Sequence, residues 1–594
     1  MEYLAYLSRY LTVFFLVSGA LTLLFYALRS WSRRFKRQIS PVKGFFLLSE
    51  QMGVMGEVTS YPLYYTTGIG RSGSSDVRIK GKGILRHHAQ LFLFKGRWYL
   101  EKDQARAQIW VNREKLTGRR QVNHKDVISI PGKNFTFIDE RRSAKESGIE
   151  YDDINSYDDL SSDREERTPR RVITYFSLYW LISLFQLWVA LPEELGFLRN
   201  LALILGAVYM LLMMIFARFW VQMFDHFDEA IYLAFAMMSG IGFVLQTRLS
   251  LLNRTKPDAW TDMEWYVFLQ NDMIKQAIFY FAGIIILPLL IFIFTKTKLL
   301  EHIAPLCLWI TPGLYLSTKI LGRDVAGTGA GLWLVLPGGF TLQLTEFAKI
   351  TYLIVLAYFF VSKPSFKRQV LFGLWAGINF ILILWLPDLG SMMILLPVTL
   401  LVYTVMSSEY FKTLLILASG IGLFALAYRL MPYVKRRVHG WLTLWEEVNA
   451  QNDQIIRGLQ AMTRGGLIGT GLGSAEPRSI PLASSDMVFS FLTEELGLLT
   501  ALVVVLLFMV ILIRAGTAFV VLRDSFTAAL ILGIASYFFV EASVAIAGVS
   551  GLIPLTGVTL PFIARGGSSM LAKWVLVAMI LALWNRREER RYKS

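Results

Sequence analysis

The sequence predicts a polytopic α-helical membrane protein that carries one all-β domain, and three observations lead there. Of the 594 residues, 54% are hydrophobic and only 18% charged, where a soluble chain would carry nearer a quarter charged residues. Apolar runs able to cross about 30 Å of hydrocarbon recur along the chain. Between the first and second of these runs, residues 45–140 change character and show short alternating stretches separated by Gly, Asn, Lys and Asp. This composition excludes a wholly soluble enzyme, a disordered scaffold and a collagen-like fibre. A single cysteine, Cys307, in an apolar run excludes a disulfide framework and a multi-cysteine metal site. The net charge of +16 fits Lys and Arg gathered in cytoplasmic loops, so no nucleic-acid partner is invoked.

The first run, residues 11–28, has little charge before it and Arg29, Arg33, Arg34, Lys36 and Arg37 after it. A signal peptide has the reverse order, with a basic front end and a small-residue cleavage site. Residues 1–30 are therefore read as an anchor with its N-terminus outside and residue 29 onward in the cytoplasm. Alternating stretches at 61–66, 89–94, 98–101, 109–112 and 135–138 predict an all-β sandwich over 45–140. Residues 141–171, rich in Asp, Glu, Ser and Arg, cannot bury a core and read as a charged linker.

Further spans are expected near 172–191, 201–217, 231–245, 277–294, 303–321, 347–361, 370–386, 392–405, 414–428, 487–513, 526–549 and 571–584. With the first run they make about thirteen. Arg218, Lys296 and Lys298, Lys363, Lys367 and Arg368, Arg514 and Arg523, and the basic stretch 586–593 then all fall in the cytoplasm, as does the tail 588–594. The segment 431–485 falls outside yet carries Lys435, Arg436, Arg437, His439, Arg457, Arg464 and Arg478. Either these solvate a loop, or they neutralise an anionic substrate at the outer face, since Arg and Lys are the usual phosphate partners.

Polar motifs collect at the outer helix ends. In order they are Trp333, Gln343-Leu344-Thr345-Glu346-Phe347-Ala348-Lys349 and Pro387-Asp388-Leu389-Gly390. The glycine-rich stretch 465–473, Ser485-Asp486-Met487-Val488-Phe489, Glu494-Glu495-Leu496-Gly497 and the stretch 561–569 ending in Gly566-Gly567-Ser568-Ser569 follow. An ionisable group at membrane depth is costly and is a functional candidate by default, which singles out Glu346, Lys349, Asp388, Asp486, Glu494 and Glu495. Bland readings stand beside this one. Asp486 and Asp388 are both plausible helix caps, the glycines could form only a flexible loop, and Glu494 and Glu495 could pair with Lys349 or Arg565 to hold helices together.

In order and spacing these motifs resemble the SEDS family, the membrane proteins of the FtsW/RodA/SpoVE type, over about residues 224 to 587. The family pattern has Gln-Pro-Ser-Glu where this chain has Gln343-Leu344-Thr345-Glu346, a His where Ser484 stands and a Tyr where Arg565 stands. Many relatives also have an Arg just before the Trp, where Gly331 and Leu332 stand. The resemblance implies a ten-span core with both ends cytoplasmic, so that residues 172–223 supply two additional spans. It also implies a peptidoglycan glycosyltransferase that polymerises lipid II, a disaccharide-pentapeptide on undecaprenyl pyrophosphate, at the outer face of the bacterial cytoplasmic membrane. The family's catalytic carboxylate falls on Asp486. Trp333, Gln343, Glu346, Lys349, Arg437, Arg457 and Ser568 are the expected substrate-binding residues, and Asp388, Glu494 and Glu495 the supporting ones. No cofactor is implied beyond a divalent cation at the pyrophosphate, and no protein-held metal. A class B penicillin-binding protein, a transpeptidase, is the implied partner.

The β domain resembles a forkhead-associated (FHA) domain through Gly70-Arg71-Ser72, Arg86-His87-His88-Ala89, Val111-Asn112, Asp126-Val127-Ile128 and Phe135-Thr136-Phe137. Arg71, His88 and Asn112 would mark its recognition surface. Such domains bind phosphothreonine through an Arg, a Ser and an Asn, and the last two positions are Leu85 and Ala107 here. Each lost hydrogen bond is worth on the order of 1–3 kcal/mol, so the expectation is a phosphate-independent module with a cytoplasmic protein partner. Two other functional classes remain open, a lipid II flippase and a non-catalytic scaffold recruiting division proteins. A flippase needs a polar path reaching the inner face, whereas the polar motifs gather toward the outer one.

Overall fold

The computed structural model describes residues 2–39, 46–52, 57–64, 66–71, 75–79, 81, 83–85, 88–94, 97–103, 106–139, 170–223, 227–252, 272–324, 331–335, 341–361, 366–407, 409–446, 448, 452–476, 479–521 and 525–585. The charged linker, the basic tail, Ser72, Arg86, His87 and Arg478 lie outside them. The chain divides into two compact units, one built from residues 1–28 and 168–590 and the other from residues 29–167 together with 591–594.

The second unit is a two-sheet β-sandwich. Its strands are β1 (Phe46–Met52), β2 (Glu57–Pro62), β3 (Thr66–Gly70), β4 (Val77–Arg78), β5 (Ala89–Phe94), β6 (Arg97–Lys102), β7 (Trp110–Val111), β8 (Glu114–Lys115), β9 (Arg120–Val122), β10 (Val127–Ile130) and β11 (Lys133–Asp139). One sheet runs β2-β1-β11-β10-β7-β8 and the other β4-β3-β5-β6-β9. Period-two alternation puts Phe135 and Phe137 of β11 inward, opposite Trp98 and Leu100 of β6. The Trp98 and Phe137 rings meet with centroids 5.9 Å apart, which closes the core between the sheets. The stretch expected as one strand over 61–66 is two, because β2 ends at Pro62 and Leu63 turns into the core. The strand expected over 109–112 ends at Val111, because Asn112 and Arg113 adopt left-handed backbone (φ 51° and 71°) and turn the chain into β8.

The first unit is helical: α1 (Glu2–Ile39), α2 (Arg170–Ala190), α3 (Gly196–Met223), α4 (Glu229–Leu252), α5 (Asp272–Lys296), α6 (Leu299–Leu321), α7 (Leu344–Phe359), α8 (Phe366–Trp385), α9 (Leu389–Ser407), α10 (Tyr410–Leu430), α11 (Pro432–Leu442), α12 (Asp453–Gly465), α13 (Val488–Val521), α14 (Ser525–Val549) and α15 (Gly567–Asn585). Twelve of these are long and apolar enough to cross a membrane, which makes this a multi-pass membrane protein. The thirteenth expected span is α7. Its 16 residues reach about 24 Å, short of a full crossing, and its first turns carry Glu346 and Lys349.

Lipid is as apolar as leucine, so helices in a membrane associate through close packing rather than a hydrophobic drive. Small residues let the central helices approach. The apolar window of α4 is fully buried and those of α14 and α15 are 78% buried, against 11% for α10. Trp574 of α15 fills the notch at Gly283 of α5, and Trp180 of α2 fills the notch at Gly240 of α4. Tyr209 of α3 stacks on Phe243 of α4 with centroids 5.4 Å apart. The three N-terminal spans therefore share one continuous core with α7 and the nine spans that follow.

Arg514, expected just beyond the end of the span 487–513, instead lies within α13, which runs on to Val521. It is buried inside the helix, where its Nε donates to Asp228 Oδ2 at 2.8 Å, and Asp228 Oδ1 caps α4 through Ile231 N–H at 3.0 Å.

A Cβ at Gly240 would overlap the Trp180 ring. Gly240→Ala is therefore expected to destabilise the helical unit by about 1–3 kcal/mol through overpacking, despite alanine's better helix propensity. Thermal unfolding in detergent measures this, and an unchanged or raised midpoint would show that α2 docks elsewhere.

Candidate functional site

Asp486 stands in the turn 481–487 that leads into α13. The turn closes on itself, with Ser485 N–H and Met487 N–H both donating to Leu482 O, at 3.0 and 3.2 Å. The Ser484 carbonyl accepts from the Gln246 side chain of α4 at 3.0 Å and from Arg565 N–H at 2.7 Å. Asp486 is thus carried on backbone tied to two other segments. No hydrogen bond joins its carboxylate to an α13 N–H among the described residues, so a capping role does not account for it.

The segment between α14 and α15 gathers the neighbours. Gly557 (φ 75°) passes so close that a Cβ there would stand 3.4 Å from Asp486 Oδ2. One residue earlier, Thr556 O accepts from Arg437 Nη1 of α11 at 2.7 Å. Arg437 lies within electrostatic reach of Asp486 and of Asp388. Asp388 caps α9, its Oδ1 accepting from Ser391 N–H at 3.0 Å and its Oδ2 from the Ser391 hydroxyl at 2.6 Å. Loss of hydration pushes the Asp486 carboxyl above the usual aspartate value, and Arg437 and the Ser485 hydroxyl pull it partly back. Burial lowers the Arg437 guanidinium, an effect the two carboxylates oppose.

A second group sits at the N-terminus of α7. Lys349 Nζ donates to Glu346 Oε1 at 2.6 Å, and both side chains are buried. Gln343 N–H donates to Ser568 Oγ at 3.1 Å, which joins the start of α7 to the start of α15. Two short strands, β12 (Leu334–Val335) and β13 (Thr341–Leu342), precede α7. Trp333 is fixed beside them through its backbone, which pairs with Arg323 at 2.8 and 3.3 Å.

The structure draws Asp486, Arg437 and Asp388 together, and Lys349 with Glu346, Gln343 with Ser568. It does not draw in Arg457, which pairs with Asp453 one turn earlier on α12 at 2.9 Å, on an exposed face. Glu494 and Glu495 do not pair with Lys349 or Arg565. Glu494 holds Arg464 at 2.7 Å and Glu495 holds Arg248 of α4 at 3.2 Å, while Arg565 pairs with Asp272 at 2.8 Å. The reason lies in α13, which breaks at Gly497 (φ 83°, ψ 166°) and turns both glutamates toward the glycine-rich stretch. That stretch pairs with the broken backbone: Thr470 N–H donates to Glu494 O at 2.8 Å, Gly471 N–H to Glu495 O at 3.0 Å, and Leu498 N–H to Gly466 O at 3.0 Å.

Two charged residues that sequence reasoning passed over lie in the interior. Glu541 of α14 and Lys573 of α15 form an ion pair at 3.2 Å with both side chains buried. Each is an ionisable residue inside an apolar run, and that was a signal already available in the sequence.

In the β-sandwich, Arg71 is exposed and its N–H donates to Leu85 O at 3.0 Å. His88 is not on the surface as expected. It is fully buried, with Leu85 N–H donating to its Nδ1 at 3.2 Å and Nε2 lying 3.0 Å from Gln108 O, so the ring staples two loops together. Asn112 is exposed, but its amide is spent on the turn: Nδ2 donates to Asp126 Oδ1 at 2.7 Å and Oδ1 accepts Val127 N–H at 2.8 Å. Leu85 packs against the core and Ala107 is buried.

A bundle of membrane helices with a carboxylate–arginine cluster at helix ends, joined to a β-sandwich, defines the class. The sequence profile of the FtsW/RodA/SpoVE family, described as a cell cycle protein, matches residues 228–589, and the chain belongs to that family. An FHA-domain profile matches residues 67–131. The peptidoglycan glycosyltransferase RodA of Mycobacterium tuberculosis is 32% identical over 271 residues, 42% of this chain and 57% of that protein, so the match spans little more than half the length of this relative. Stage V sporulation protein E of Bacillus subtilis is 31% identical over 273 residues, 44% of this chain and 73% of that protein. A chain from a solved peptidoglycan synthase complex, described as coordinating polymerization and crosslinking, superimposes with a TM-score of 0.50 at 22% identity, covering 62% of this chain and 99% of that one, which shows a shared fold.

Because Arg437 opposes the upward push on Asp486, Arg437→Gln is expected to move the Asp486 titration to higher pH. The carboxyl band in difference infrared spectra reads this, with Asp486→Asn identifying the band. A shift to lower pH, or none, would place Arg437 outside the electrostatic field of Asp486.

Proposed function

We propose that the protein polymerises lipid II into glycan strands at the outer face of the bacterial cytoplasmic membrane, as a peptidoglycan glycosyltransferase. The observation that carries this reading is Asp486, held on an anchored turn, uncapped, beside Arg437. The acceptor sugar's hydroxyl must lose a proton as it attacks the anomeric carbon, and a carboxylate with a raised pKa is a stronger base than an ordinary aspartate. The leaving group is a pyrophosphate whose developing charge needs cations. Arg437 and Lys349 are the candidates that the fold supports, whereas Arg457, committed to Asp453, serves the solvent face of α12. Gln343 and Ser568 shape the rim between α7 and α15, with Trp333 near the sugar or lipid approach.

Among the described residues no group of three or more His, Cys, Asp or Glu gathers to hold a metal ion. Any divalent cation at the site is taken to be one carried by the pyrophosphate. The basic flanks support a cytoplasmic position for the FHA-like sandwich and the C-terminus. A class B penicillin-binding protein is the proposed partner, supported by the likeness to a chain of a synthase complex that couples polymerization with crosslinking. The sandwich serves a cytoplasmic protein partner through contacts that do not depend on phosphate.

Asp486→Asn tests the reaction. Asparagine keeps the size but cannot take a proton, so glycan formation from labelled lipid II should fall about 10²–10⁴-fold. A raised folded-state pKa means that the ionised carboxylate costs stability once pH rises through it. Asp486→Asn should therefore melt no lower than the wild type at neutral pH. Near-normal polymerisation would remove the proposed base and revive a flippase reading. For the sandwich, matched phosphothreonine and threonine peptides should bind with less than about tenfold difference, 1.4 kcal/mol; a larger preference would show that other side chains replace the missing ligands.

A further inference from the structure

The helical unit buries four charges that its packing does not need. Glu346 and Lys349 on α7, Glu541 on α14 and Lys573 on α15 are all at most 7% exposed. They form two ion pairs, Lys349 with Glu346 at 2.6 Å and Lys573 with Glu541 at 3.2 Å. The pairs also act on each other crosswise, Lys573 on Glu346 and Glu541 on Lys349. Each carboxylate uses one oxygen only, and Oε2 of both Glu346 and Glu541 has no hydrogen-bond partner among the described residues. Lys349 Nζ can donate three hydrogen bonds and spends one on Glu346.

A buried ion pair is a poor way to hold helices together, since apolar residues of similar size do as well or better. Three helices already meet here through close packing, as where Gly533 of α14 comes near Leu353 of α7. What the second pair supplies is polarity: a fixed negative end beside Lys349 and a fixed positive end beside Glu346. Without it the flexible lysine stem could swing away from its place near Asp388, which lies within electrostatic reach of Lys349 and of Arg437. The charges thus run from the interior through Lys349, Asp388 and Arg437 to Asp486.

We infer that Glu541 and Lys573 are positioning residues, which hold the Glu346–Lys349 pair so that the remaining donors of Lys349 meet the pyrophosphate of a polyprenyl-linked substrate. This inference rests on the reading of the substrate as such a lipid.

The test replaces the pair by apolar residues of similar size in the full-length protein, Glu541→Leu with Lys573→Met. It compares melting in detergent, binding of undecaprenyl pyrophosphate, and lipid II polymerisation with the wild type and with Lys573→Arg, which keeps the charge. The expected result is a melting point at or above that of the wild type, with binding and polymerisation both reduced by on the order of tenfold to a hundredfold and largely kept in Lys573→Arg. Unchanged binding and polymerisation in the double variant would overturn the inference, as would a loss of activity that only follows a loss of melting temperature. If the wild type binds undecaprenyl pyrophosphate without polymerising lipid II, the reading of the reaction fails and the binding comparison alone decides the inference. If the wild type binds neither lipid, both fall.

Discussion

Much of this structure turns on the break of α13 at Gly497. A helix interrupted in an apolar bundle frees N–H and C=O groups that no water can satisfy, and such a break survives only where protein groups replace the lost bonds. The glycine-rich stretch does this by laying its own backbone against α13 on both sides of the break. The fit is close enough that a Cβ at Gly469 or Gly497 would run into backbone atoms of the other strand, and both residues adopt positive φ that glycine tolerates. From this junction Glu494 reaches Arg464 and Glu495 reaches Arg248. The same helix begins two residues after Asp486, so the short helical segment before the break joins the junction to the carboxylate.

Charge placement is the second constraint. The helical unit carries buried ionisable groups in pairs, Asp228 with Arg514, Arg248 with Glu495, Glu346 with Lys349 and Glu541 with Lys573. Each pair lowers a desolvation cost that either charge alone would carry in full. Asp486 differs from these because its positive neighbour, Arg437, is bound to a backbone carbonyl and acts on it across space. Its carboxylate therefore makes no direct ion pair among the described residues and is met by the Ser485 hydroxyl.

The β-sandwich shows the same separation of structural from exposed groups. His88 and Asn112 spend their hydrogen bonds inside the domain, on loops and on a turn, while Arg71 faces outward. Motif residues therefore divide into those that hold the loops and turns in place and those that face outward, a division invisible in the order of letters.

Sequence by itself determined the two-part architecture and nearly every helix, because an apolar run of sufficient length has few alternatives in a bilayer and an alternating run has few alternatives to a sheet. It also singled out Asp486, Lys349 and Glu346, since motif order and charge at membrane depth are both properties of the chain read in line. Tertiary structure alone decided the partners. That Glu494 meets Arg464 rather than Lys349, that Arg457 stays with Asp453, that Glu541 finds Lys573, and that residues 555–558 bring Arg437 and Asp486 together all depend on which helices pack side by side. A helix presents every side to some neighbour, and only the packing of small against large residues, settled once the whole bundle forms, selects which charge each side will face.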